Sequence, residues 1–174
     1  MAKVIIEESD MCFGEYDSSN VFQIEKCSQY TSKLRDSGIK ITEFILLKDK
    51  KLLMIEAKKS CPNSETYMSS KEKQLKYDEY ISSITSKFKN TLNLYISIIL
   101  KRYSQDKLPT KFTMLEHSTL DLVFILVVKN AESHWLSHYQ EVLQKNLSEE
   151  IKVWKIRGLL VINEDTARAK KLIK

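Results

Sequence analysis

At 174 residues the chain has the length of one domain, enough to bury a substantial core and too short for two ordinary ones. Lysine and arginine number 28 against 23 acids, a formal charge of +5, which biases the surface towards polyanions such as nucleic acid or a membrane face. The cysteines Cys12, Cys27 and Cys61 form no C-x-x-C pair and leave an odd count, which argues against a disulfide framework and for free thiols in a reducing cytoplasm.

The apolar run after Met1 is too short for a secretory leader, and no later run approaches the roughly 20 residues of a membrane span. A soluble cytoplasmic protein without a membrane partner is therefore expected. Glycines and prolines are few and mark no linker, so a single domain over residues 1–174 is expected.

Residues 3–7 predict a short strand. Ser19 or Asn20 is placed to cap a helix running through Phe22, Ile24, Glu25 and Leu34, with Gly38 ending it. Residues 40–48 and 51–59 predict a hairpin. From Ser69 or Ser70 a long helix is expected, because Tyr77, Ile81, Ile84, Phe88, Leu92, Tyr95, Ile99 and Tyr103 recur in steps of three and four, the pattern of a core-facing stripe. Leu120–Val128 is apolar on both faces, as in a central strand covered on both sides. A helix over 133–147, a strand over 152–162 and a terminal helix from Glu164 complete an α/β layered domain.

The hairpin carries the chemistry. Alternation puts Leu52, Met54, Glu56 and Lys58 on one face of the second strand. With Asp49-Lys50 at the centre of a tight turn, 48 faces 51, 46 faces 53, and Glu43 faces Glu56. Carboxylates so placed repel, and their neighbours Ile41, Ile45, Leu47, Leu52 and Met54 are apolar, so a cation is expected between them. A divalent metal meets that need, and Lys58 beside it would orient a water nucleophile or stabilise charge on a phosphate. The competing reading has the strand simply emerging into solvent at Glu56 and Lys58, and a register one residue away would undo the pairing.

Glu43, followed after twelve residues by Glu56-Ala57-Lys58 in "LLMIEAKKS", resembles the PD-(D/E)xK nuclease superfamily. The resemblance implies a restriction-endonuclease-like core: a mixed β-sheet with a central hairpin flanked by helices, here with one long helix inserted after the hairpin. It implies Glu43 and Glu56 as ligands of Mg²⁺ or Mn²⁺, Lys58 as the catalytic lysine and Glu25, on the preceding helix, as the acid that completes the metal site. The implied partner is a nucleic acid, DNA before RNA, and a homodimer fits enzymes that cut both strands.

Other features carry less. His134, His138 and Glu141 lie at helical spacing, but Trp135 breaks the H-E-x-x-H zinc pattern. The lysines of "KEKQLK" (71–76) are placed to meet phosphates, and Tyr67, Tyr77 and Tyr80 to stack on bases, although solvated and half-buried packing roles fit the same spacing. Two functions from different classes follow: a divalent-metal-dependent nuclease, or a non-catalytic module of the same fold that binds nucleic acid or a protein partner.

Overall fold

The computed structural model describes residues 2–105 and 107–174. It opens with an antiparallel pair, β1 (Lys3–Glu8) and β2 (Met11–Asp17), turning through Ser9 and Asp10, both at positive φ as a two-residue hairpin turn requires. The sequence reading contained β1 but no β2. The register slips where Val4 faces Tyr16 and Ile6 faces Phe13, and that bulge interrupts the alternation by which β2 would have been recognised.

The expected helix from residue 19 to Gly38 is not formed. In its place stand a 3-10 turn (Ser18–Asn20), the short strand β3 (Val21–Phe22), a second 3-10 turn (Ile24–Lys26) and a π-helical turn (Tyr30–Leu34). Val21 and Phe22, β-branched and aromatic, pair with Leu46 and Ile45 at the sheet edge, where such side chains pack better than on a helix. Gly38, expected to end that helix, lies at φ +77 in the turn after Leu34.

The hairpin has the anticipated register. Strands β4 (Phe44–Lys48) and β5 (Lys51–Lys58) pair Lys48 with Lys51 and Phe44 with Ile55 around Asp49 and Lys50, both at positive φ. Helix α1 (Lys71–Ile99) follows, with the Ser70 hydroxyl capping the amide of Lys73. Its stripe is buried from Tyr77 to Tyr95, but Lys101 at positive φ stops it before Tyr103, which is exposed.

A short helix α2 (Thr110–Thr113) leads to β6 (Asp121–Val128), which runs parallel to β5. Helix α3 (Ser133–Asn146) and helix α4 (Ser148–Val153) precede β7 (Gly158–Asn163), which runs parallel to β6, and helix α5 (Glu164–Ala169) follows it. The strand expected from residue 152 thus begins at Gly158. Glu149 and Glu150 favour a helix N-terminus by their charge, and Lys155 at positive φ separates that helix from the strand.

The chain is α/β, with a five-stranded mixed sheet in the order β3-β4-β5-β6-β7 and a separate two-stranded sheet. On one face Met54, Phe124, Leu126 and Val161 pack under α1 and α3, with Phe88 stacked on Phe124 at 4.7 Å. On the other Phe44, Ile55, Ile125 and Val127 pack against Phe13 and Tyr16 of β2 and against Leu172 and Ile173. There the chain end is laced to β2: Gly14 N donates to Leu172 O (3.2 Å), Lys174 N to Cys12 O (3.0 Å) and the Tyr16 hydroxyl to Leu172 O. No helix among the described residues is long and apolar enough to cross a membrane.

Candidate functional site

Glu43 precedes β4, its amide donating to Ile55 O (3.1 Å), and Glu56 and Lys58 stand at the far end of β5. All three side chains face α1, because Glu56 and Lys58 alternate with Ile55 and Ala57 of the opposite core. Helix α1 also fixes the approach to Glu43: the Thr42 amide donates to Thr91 Oγ1 (2.7 Å), and the Asn90 side chain donates to Lys40 O (2.9 Å).

The cation demanded by the facing carboxylates is present, and it comes from α1. Lys87 Nζ lies 3.2 Å from Glu43 Oε1, 2.8 Å from Glu56 Oε1 and 3.0 Å from Glu56 Oε2. Lys58 Nζ lies 2.9 Å from Glu56 Oε1, so two ammonium groups hold a carboxylate with no solvent exposure. Burial pushes the Glu56 carboxyl up to about 7, against the pull of Lys87 and Lys58. Burial works to lower the Lys87 ammonium, but Glu56 and Glu43 outweigh it and raise the group, so the lysine stays charged.

Beside this network lies an acidic group. One carboxylate oxygen from each of Glu8, Glu25 and Glu43 falls within 4.8 Å of the other two. Burial, then a hydrogen bond shared with Glu43 and the charge of Glu43, pushes Glu25 up to about 8. Glu8 is raised as well, by burial and then by Glu43. Half-buried oxygens crowded this closely suit a hard divalent cation, whose ligands are carboxylates and water. Magnesium or manganese fits the donor set.

The structure therefore brings Glu43, Glu56 and Lys58 together and adds Glu25 through Glu43. Glu56 stands apart from the three grouped carboxylates, its oxygens engaged by lysines. Sequence reasoning missed Lys87 and Glu8. Lys87 had a signal, since it sits three residues after Ile84 and four before Thr91, both fully buried, and a lysine on a buried stripe needs a partner. Glu8 had none, because its place depends on how the two sheets meet.

The other candidates disperse. His138 Nε2 is hydrogen-bonded to the Tyr77 hydroxyl (2.7 Å), His134 Nε2 lies 3.3 Å from Glu65, and Glu141 is exposed. The lysines of 71–76 are exposed on the first turns of α1, where Lys76 pairs with Glu72 at 2.6 Å. Neither a family model, nor any curated protein, nor any solved structure matches the chain, so the carboxylates and lysines themselves carry the functional reading.

Proposed function

We propose that the chain is a divalent-cation-dependent nuclease with a restriction-endonuclease-like core, hydrolysing phosphodiester bonds of a nucleic acid, DNA in the first instance. The observation that carries this reading is the convergence of Glu43, Glu56 and Lys58 at one end of the hairpin, with Glu25 and Glu8 crowded against Glu43. Glu43, Glu25 and Glu8 would hold Mg²⁺ or Mn²⁺. A bound cation of this kind supplies Lewis-acid stabilisation of charge on a phosphoryl group.

The protein's own groups do the rest. Lys58, at a strand end with its side chain 30% exposed, can reach a phosphate or an attacking water, and its contact with Glu56 fixes the ammonium in place. Lys87 holds Glu56 and Glu43 at a set separation. The positive balance of the chain and the exposed lysines of α1 favour a polyanionic substrate. Two copies acting together would cut both strands of a duplex.

One observation favours the second reading, a non-catalytic module of the same fold that binds nucleic acid or a protein. Lys87 already neutralises the facing pair Glu43 and Glu56 from within the chain. A panel of labelled single- and double-stranded DNA and RNA incubated with Mn²⁺ separates the two. Cleavage by wild type that is lost in Glu43→Gln, in Lys58→Met and with a chelator is the expected result. Salt-sensitive binding without cleavage of any substrate would establish the binding module instead.

A further inference from the structure

Residues 60–67 carry the chain from the end of β5 towards α1 and, with the first turns of that helix, enclose a cavity of about 390 Å³. Cys61, Tyr67, Lys73, Lys76 and Tyr80 line it. We propose that this cavity binds an unpaired nucleobase with its phosphate, next to the cleavage site; the proposal takes its substrate from the nuclease reading, but its test does not depend on turnover.

Spacings of three and four put Lys73, Lys76 and Tyr80 on one face of α1. Both lysines are exposed; Lys76 is paired with Glu72 at 2.6 Å, and Lys73, whose ammonium donates to Ser69 Oγ at 3.1 Å, brings the cationic charge to the rim. Tyr67 is held in place by stacking on Tyr77, with ring centres 4.0 Å apart and planes 20° apart, and Tyr77 is in turn anchored by His138. A fixed aromatic ring beside cations suits a flat base attached to a phosphate, because stacking is indifferent to sequence and the charges hold the backbone.

A polar group in the wall has nothing to bond to. The Tyr80 hydroxyl is buried and has no hydrogen-bond partner among the described residues, a state that buried hydroxyls seldom occupy. Less than 1 Å² of that oxygen is exposed, so the Tyr80 ring, not its hydroxyl, faces the cavity. Ser60, two residues after Lys58, is in the cavity wall, which ties the cavity to the site at the end of β5. A base seated there leaves its duplex partner, so the preferred substrate is single-stranded or locally opened.

The test is calorimetric titration of the full chain in EDTA with AMP, and with ribose 5-phosphate as the probe lacking a base. AMP should bind, ribose 5-phosphate should bind at least about ten-fold more weakly, and Tyr67→Ala should weaken AMP binding about ten-fold while Tyr67→Phe restores it. Lys73→Met, an exposed substitution on the cavity rim, guards against misfolding and should weaken AMP several-fold. Equal binding of both probes, no AMP binding, or AMP binding untouched by Tyr67→Ala and Lys73→Met would overturn the proposal. AMP binding without any cleavage would leave the subsite standing and remove the nuclease reading, whereas cleavage without AMP binding would remove the subsite alone.

Discussion

The ammonium of Lys87 lies within hydrogen-bonding distance of both carboxylate oxygens of Glu56, a side chain with no solvent exposure. This contact joins the middle of α1 to the end of β5, and it sets the price of removing either partner. Replacing Lys87 by Met leaves Glu56 with Lys58 alone and Glu43 without its ammonium. Breaking a buried pair on one side costs about 3–5 kcal/mol, so the urea midpoint of Lys87→Met at pH 8 should fall by that amount of stability. A change below about 1 kcal/mol would show that the pair is not what fixes the helix on the strand.

Lys58 makes the opposite case. Its side chain is 30% exposed and its ammonium pairs with Glu56 Oε1, so Lys58→Met should cost no more than about 1 kcal/mol of stability. Under the proposed nuclease mechanism its effect on cleavage with Mn²⁺ should be large, a fall of about 100-fold or more, because that mechanism has Lys58 stabilise the developing charge. Thermal melts and initial rates measured on the same preparation separate the two effects.

Stability should depend on pH through Glu25. The folded carboxyl titrates near 8 against an ordinary value of 4.5, so the folded state holds a proton that the unfolded chain has already released. Its favourable contribution is complete below about pH 4.5 and is lost as pH rises through about 8. Glu56, raised to about 7, adds the same sign over a narrower window. Allowing for the partial exposure of Glu25 to solvent, a loss of at least about 2 kcal/mol between pH 5 and 8 is expected, and Glu25→Gln should remove more than half of it. Unfolding curves at several pH values check this, and an unchanged slope in the variant would refute the assignment.

The same proton competes with a cation. Mn²⁺ affinity should rise with pH up to about 8 in wild type, because Glu25 must lose its proton to become a ligand. Titration calorimetry in buffers of different ionisation enthalpy would reveal the released proton. An affinity independent of pH would exclude Glu25 from the cation site.

A prediction independent of function concerns Gly14. Its φ is +120°, and a β-carbon there would meet Val4 O at 2.8 Å. Gly14→Ala should therefore destabilise by about 2–3 kcal/mol and lower the Tm by roughly 5–10 °C. An unaltered melt would mean that β1 and β2 can separate at that point without consequence.

What the sequence made legible was local. The register of β4 and β5 follows from Asp49-Lys50 and from the alternation on either side, so Glu43 could be placed against Glu56 and the need for a cation stated. Leu120–Val128 declared itself central by being apolar on both faces. Lys87 was hidden because periodicity gives a helix a buried face without saying which strand lies beneath it. Glu8 was hidden because its strand belongs to another sheet, and β2 because a bulge breaks the period of two. The start of the strand expected over 152–162 was misjudged, because Val153 and Ile156 suit either a helix or a strand.

The lacing of Leu172 and Lys174 to β2 also bears on synthesis. Tyr16 and its acceptor Leu172 are 156 positions apart, a distance that a ribosome covers in roughly 8–30 s. For most of that interval, from the emergence of Phe44 and Ile55 until Leu172 follows, this sheet face lacks its final cover, and a newborn chain must either wait partly folded or be shielded.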